Sequence, residues 1–244
     1  MPSPPKPIRL GILVPSSNTA LEPLTQSLIS ALPNVTVHFS RFRVTSISLS
    51  AGALAQFDPA HLLAAAQLLA DAGVDAIGWS GTSAGWLGFE ADDRLCAAIA
   101  AATGRPATTS VLALNRALDA FGVAKLGLVT PYRDDVQAAI VENYRGLGVD
   151  ARAERHLGRE DNVLFAEIGE DVLGRMVGEV VGEGVQAVTT FCTNLSAAGH
   201  VERWEREYGV PVFDTVTTVV WDLLRVCGVD TRQVNGWGRL MSEG

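Results

Sequence analysis

Along this chain, short runs of apolar, β-favouring residues alternate with longer Ala- and Leu-rich stretches whose apolar positions recur at helical spacing. Strands are predicted at 9–14, 35–39, 74–79, 107–109, 125–130, from about 149, at 185–191 and at 210–213. Helices are predicted at 21–31, 59–72, 92–102, 110–121, 134–147, 161–182, 197–207 and 215–226. Regular alternation of this kind is the pattern of parallel strands joined by crossover helices, so the fold class is α/β. The loops between are short, and no low-complexity linker interrupts them.

The chain also repeats itself. Arg9-Leu-Gly-Ile-Leu-Val-Pro15 returns as Lys125-Leu-Gly-Leu-Val-Thr-Pro131. Gly73-Val-Asp-Ala-Ile-Gly-Trp-Ser-Gly-Thr-Ser83 returns as Gly184-Val-Gln-Ala-Val-Thr-Thr-Phe-Cys-Thr-Asn194, and Gly104-Arg-Pro106 as Gly209-Val-Pro211. Three matches in one order imply two pseudo-symmetric lobes, each a parallel sheet flanked by helices. The division read from the chain is 8–113 with 217–244 for the first lobe and 114–216 for the second. Ligands of open parallel sheets gather beyond the carboxyl ends of strands, so one site in the cleft between the lobes is expected. In this register Gly81 stands where the second half has Cys192, and each is followed by threonine.

Composition narrows the function. With 48% apolar and 19% charged residues in 244, the chain can bury a core and is not intrinsically disordered. No apolar run reaches the roughly 18 residues of a membrane span. A net charge of -8 has the wrong sign for a general nucleic-acid binder, leaving room for a small local basic pocket. Cys96, Cys192 and Cys227 form neither a CxxC metal pattern nor an even disulfide framework, which points to a reducing compartment. The start, Met1-Pro-Ser-Pro-Pro-Lys-Pro7, lacks the apolar region of a signal peptide, so a cytoplasmic location is expected. Oligomeric state is not legible; a homo-oligomer is allowed.

The candidate chemistry collects at strand ends. Pro15-Ser-Ser-Asn-Thr19 precedes a helix and offers hydroxyl, amide and helix N–H donors that suit a carboxylate, with Ser17 and Asn18 as candidates; a simple helix cap reads the same way. Gly81-Thr82-Ser83 places two hydroxyls after a buried strand, where they could hold a developing oxyanion or form a turn with no ligand. Tyr132 could donate a hydrogen bond from a rigid arm or pack on Pro131 at the surface, and Arg133 could meet a carboxylate or pair with Asp134 or Asp135. Cys192, followed by Thr193, could give a proton, or take one if its pKa falls, or be a small buried hydrophobe. Cys96 and Cys227 are read as packing residues. His38, His61, His156 and His200 show no metal-ligand spacing, so no metal is expected, and His200 is read as exposed. No GxGxxG, GxxxxGK[ST] or GxSxG motif follows a strand, which disfavours nucleotide cofactors and a serine-hydrolase triad.

These residues resemble the aspartate/glutamate racemase superfamily, in its branch of arylmalonate decarboxylases and maleate cis-trans isomerases. Pro15-Ser-Ser-Asn-Thr19, Gly81-Thr-Ser83, Thr130-Pro-Tyr132 and Cys192-Thr-Asn-Leu195 carry the resemblance, which spans nearly the whole chain. Racemases and isomerases of this kind use two cysteines facing each other across the substrate; Gly81 departs from that. The Gly-Thr-Ser turn with one cysteine resembles the decarboxylase, whereas the motifs at 15–19 and 192–195 look more like the isomerase. The resemblance implies a cofactor-independent enzyme for a small mono- or dicarboxylate. Thr82, Ser83, Tyr132 and the backbone amides near Cys192 and Thr193 would then form a dioxyanion hole, with Cys192 as the single proton donor. A maleate-isomerase-like or racemase-like enzyme is the runner-up, and a non-catalytic dicarboxylate-binding protein the third reading.

Overall fold

The computed structural model describes residues 6–244. The proline-rich start read above lies largely outside the described residues. Two four-stranded sheets, all parallel, form the framework: β1 (Ile8–Pro15), β2 (Val35–Phe42), β3 (Ala76–Trp79) and β4 (Ala107–Thr109) in the order β2-β1-β3-β4; β5 (Lys125–Thr130), β6 (Asp150–His156), β7 (Ala187–Thr190) and β8 (Val212–Asp214) in the order β6-β5-β7-β8. The same order in both sheets bears out two pseudo-symmetric α/β lobes.

Between the strands run α1 (Leu21–Ile29), α2 (Ala51–Leu54), α3 (Pro59–Asp71), α4 (Ala84–Leu87), α5 (Glu90–Thr103), α6 (Ser110–Ala120), α7 (Asp134–Gly146), α8 (Glu170–Val181), α9 (Val201–Tyr208), α10 (Thr215–Val226) and α11 (Arg239–Glu243). Local chemistry sets their ends. Asp58 accepts from the Ala60 N–H ahead of Pro59 to start α3, and Thr109 and Asp214 cap α6 and α10 in matching positions. Gly104 and Gly209, the glycines of the third repeat, both take the left-handed conformation that ends α5 and α9 (φ 67° and 75°).

The repeat register reappears in matching backbone hydrogen bonds. Asp75 N–H donates to Arg9 and Gln186 to Lys125; Ile77 donates to Pro106 and Val188 to Pro211; Ser80 donates to Leu13 and Phe191 to Val129. The matched residues of the second repeat therefore occupy equivalent places, and Gly81 and Cys192, each next after the matched pair Ser80 and Phe191, are structural equivalents.

The second half of the chain lends α10 to the first sheet, and aromatic contacts also join the halves. Thr108 and Arg116 both bond the Asp222 carboxylate of α10, at 2.5 and 2.6 Å. Ser110 Oγ donates to the Thr215 carbonyl, and Thr218 Oγ1 returns a bond to Ser110. Phe121 packs on Phe213, and Phe89 on Tyr144, each with centroids 5.1 Å apart. Of these rings Tyr144 and Phe213 are fully buried, and burying a large apolar side chain contributes about 1.5–3 kcal/mol.

One predicted element needs correction. The helix expected over 161–182 is a 3₁₀ turn, Asn162–Glu167, an extended step at Ile168–Gly169, and then α8. The cause is tertiary: Asp161 bridges to Ser46, Asn162 N–H donates to the Thr45 carbonyl and Ile47 N–H to Glu160, so this stretch is held by the other lobe instead of continuing a helix. The strand expected from about 149 is β6, and the rest of the charged stretch to Asp161 runs into that inter-lobe contact. The helices α2, α4 and α11 were not anticipated; each is five residues or fewer, too short for a periodic signal.

Candidate active site

The carboxyl ends of β3 and β7 come together between the lobes. Thr193 Oγ1 donates to the Ser80 carbonyl across the divide (3.2 Å), and Asn18 Nδ2 donates to Thr193 Oγ1 (3.2 Å). Thr82 Oγ1 lies 2.7 Å from the Tyr132 hydroxyl, which in turn reaches the Cys192 thiol. Gly81, Thr82, Ser83, Tyr132, Cys192, Thr193 and Asn18 are thereby gathered in one buried place, with Ser17 half-buried beside them. Tyr132 is 1% exposed, so it is a site wall and not a surface residue. Ser83 stands at the start of α4 without using its hydroxyl to cap that helix.

Burial governs the protonation of this cluster. It pushes the Cys192 thiol up to about 12, opposed by hydrogen bonds from Tyr132 and from the Asn194 and Leu195 N–H groups; the nearby Asp214 carboxylate adds to the rise. Burial also holds the Tyr132 phenol well above its ordinary value, reinforced by the neighbouring thiol. Both groups are thus neutral at ordinary pH. Asp214, itself buried and bonded by Thr190 Oγ1 at 2.6 Å, is raised to about 6 by desolvation.

Ser17 and Asn18 are engaged by protein. Ser17 Oγ donates to the Val44 carbonyl (2.6 Å) and accepts from Asn162 Nδ2 (2.8 Å). Asn18 Oδ1 accepts from the Ala20 and Leu21 N–H groups at the start of α1, at 3.1 and 2.9 Å, which is the capping role weighed above. Two residues absent from the sequence reading complete this inter-lobe clamp. Asn194 Oδ1 accepts from the Thr19 and Ala20 N–H groups (2.9 and 3.2 Å), and its Nδ2 donates to the Asn162 carbonyl at 2.5 Å. Asn194 lies inside the Cys192-Thr-Asn-Leu195 motif, a signal that was available; Asn162 falls in the stretch whose pattern favours a helix.

Aromatic side chains wall the cluster. Trp86 and Phe165 meet the Tyr132 ring edge-on at 5.4 and 5.8 Å, and Phe57 stands behind Trp86. Trp79 lies against Phe42 at 5.1 Å and is 1% exposed. A Cβ at Gly81 would sit 2.1, 2.4 and 2.5 Å from Trp79 Cζ2, Cε2 and Cη2. Gly81 does not adopt a positive φ, so its smallness serves space, not backbone conformation.

The remaining candidates lie elsewhere. Arg133 is exposed and pairs with Glu160 at 2.9 Å and Asp135 at 3.8 Å. Cys96 on α5 and Cys227 at the end of α10 are half-buried and far along their helices from the strand ends. His200 is half-buried against Trp204, not exposed. His156 does have carboxylate partners, Glu154 at 2.8 Å and Asp134 at 3.0 Å. No set of three His, Cys, Asp or Glu groups is placed to hold a metal ion among the described residues.

This architecture is that of a two-lobed α/β enzyme with its site between equivalent strand ends. A sequence model for arylmalonate decarboxylase matches residues 10–241, and the chain belongs to that family, within the aspartate/glutamate racemase superfamily branch. Its relatives include a maleate isomerase of Nocardia farcinica, 28% identical over 96% of both chains, and an arylmalonate decarboxylase of Bordetella bronchiseptica, 27% identical over 61% of this chain and 63% of that one. The structure of the Nocardia farcinica maleate cis-trans isomerase with a covalently bound succinylcysteine intermediate superposes with a TM-score of 0.89 at 25% identity, covering 97% of this chain and 99% of that one. The chain is accordingly an enzyme, a lyase or an isomerase. Among the described residues no helix is long and apolar enough to cross a membrane.

Proposed function

We propose that this enzyme decarboxylates an aryl- or alkyl-substituted malonate without a cofactor, in the cytoplasm. One observation carries the reading: of the two equivalent strand ends, one presents the Cys192 thiol and the other presents Gly81, which has no side chain to give or take a proton. Racemisation needs a base on one face of the carbon and an acid on the other. Isomerisation of maleate by a two-cysteine route needs a thiolate to add to the double bond and a second group to complete the turnover. Loss of CO₂ from a malonate needs neither, since cleavage of the C–C bond leaves its electron pair on carbon as an enediolate.

Each site residue has a role in that reaction. Thr82, Ser83 and Tyr132, with the backbone amides near Cys192 and Thr193, hold the retained carboxylate and stabilise the enediolate charge. Ser17 and Asn18 order the pocket edge through the clamp described above. The aromatic wall of Trp86 and Phe165 lowers the local dielectric, which disfavours the departing carboxylate more than the neutral CO₂ it becomes. Cys192 then passes its thiol proton to carbon on one face, giving a chiral monoacid, and the thiolate left behind regains a proton from water. A thiol held near 12 by burial suits this use, because it stays protonated until a strongly basic carbanion forms.

The Nocardia farcinica relative, with its succinylcysteine intermediate, supports the second reading, a maleate isomerase, in which Cys192 would need to ionise. Incubation with a panel of 2-aryl- and 2-alkylmalonates and with maleate separates the readings. CO₂ release with one enantiomer of monoacid is expected. Fumarate from maleate with no CO₂ from any malonate would overturn the proposal.

A further inference from the structure

The glycine at 81 and the tryptophan at 79 form a single unit. In the second half, the residue two before Cys192 is Thr190, whose hydroxyl turns away to Asp214 and leaves the space around residue 192 free for a side chain. In the first half, the matched residue is Trp79, and its indole lies where a side chain at 81 would begin, within 2.5 Å of that Cβ at three ring atoms. The ring cannot step aside cheaply: it is 1% exposed, rooted in β3 and packed on Phe42 at the end of β2. Aromatic rings are rigid, and overpacking a dense core forces backbone shifts.

We propose that Trp79 is a specificity-determining residue: its indole occupies the site face opposite Cys192 and keeps that face closed to any second thiol, acid or base. The inference rests on the single-donor reading above and deepens it. Protonation is one-sided because an apolar ring fills the other side, and a cysteine introduced in place of Gly81 cannot by itself restore two-sided chemistry.

The test is a cycle of Gly81→Cys, Trp79→Leu and the double variant, with the steric half read without substrate. Gly81→Cys lowers Tm by about 5–10 °C in a domain of this size. In the double variant that loss is absent, so it melts no lower than Trp79→Leu alone, and the introduced thiol becomes alkylated by iodoacetamide in the native state. If Gly81→Cys does not fold, Gly81→Ala completes the same cycle. Additive losses, or a Gly81→Cys protein with wild-type Tm and unchanged indole fluorescence, would overturn the placement of the ring. The chemical half follows the α-proton of the monoacid in deuterated water. The double variant exchanges it at least tenfold faster than either single variant. A folded double variant with the introduced thiol alkylated and no faster exchange would overturn the specificity role. Failure of the wild-type protein to release CO₂ would instead count against the decarboxylase reading, while the thermal cycle still judges the position of Trp79.

Discussion

The ends of β3 and β7 are anchored by matching backbone hydrogen bonds, Ser80 N–H to Leu13 in one lobe and Phe191 N–H to Val129 in the other, yet the two ends carry opposite chemistry. One ends in Thr190-Phe-Cys-Thr193: a small residue tied to a buried carboxylate, then a thiol. The other ends in Trp79-Ser-Gly-Thr82: a large residue folded forward over an empty Cα. A duplicated framework conserves the position of a functional atom only where the neighbour two residues back leaves room for it. The symmetry belongs to the main chain; the asymmetry is a matter of side-chain volume.

The comparison breaks most readily at Cys192. Cys192→Ser replaces the acid by a far weaker one, and turnover is expected to fall by about 10²–10⁴, the usual worth of a positioned general acid. Cys96→Ala and Cys227→Ala, on helices away from both strand ends, should leave turnover within a factor of about two. Steady-state rates with the best malonate of the panel decide it, and full turnover in a folded Cys192→Ser protein would remove the thiol from the mechanism.

The donors around the two ends come next. Thr82→Ala, Ser83→Ala or Tyr132→Phe each removes one hydroxyl of the proposed dioxyanion hole, for an expected loss of roughly 10²–10³ in kcat. Binding should weaken less than turnover. Equal kcat with raised KM would mark these groups as ordinary carboxylate holders.

A smaller effect tests what holds the two ends in apposition. Asn194→Ala removes the partner of the Thr19 N–H and of the buried Asn162 carbonyl, while the Ala20 N–H keeps Asn18 Oδ1, and a buried polar group left unpaired costs about 1–3 kcal/mol. Thermal unfolding should show a Tm lower by several degrees; an unchanged Tm would mean the clamp is redundant.

A further effect, confined to pH dependence, concerns a buried acid of the first lobe. Asp92, beneath Thr109, is raised to about 7 by desolvation, with Asp93 adding to it and the Thr109 hydrogen bond opposing it. A carboxyl raised on folding contributes stability that is complete below its unfolded value near 4 and is lost as pH rises through about 7. Stability should therefore fall between those values by up to about 1.4 kcal/mol per pH unit from this one group. Asp92→Asn keeps an acceptor for Thr109 and should flatten the slope. Urea unfolding at pH 5 and pH 7.5 measures it, and an identical slope in the variant would assign the pH dependence to other groups.

The α/β class, the strand ends, the duplication and the equivalence of Gly81 with Cys192 are determined by the sequence itself. The information for each is local: apolar runs of strand length, helical periodicity, glycines at helix ends and short strings that recur. The cluster of Thr82, Tyr132 and Cys192 was likewise nameable, since each stands directly after a strand, where a parallel sheet delivers its side chains. Asn162 was not, because only pairing with Thr45 and Ser46 of the other lobe stops the helix that its own neighbours would favour. The cap that Asn18 makes on the next helix was legible, being local, but the use of Ser17 and Asn18 in the inter-lobe clamp was not, since it depends on partners more than twenty-five residues away, Val44, Asn162 and Thr193. The clearest case is Trp79. In one dimension it is a large apolar residue closing a strand, indistinguishable from any core tryptophan; only in three dimensions does its ring lie over Gly81, because ring direction is set by packing against Phe42, a contact between separate strands that no local pattern encodes.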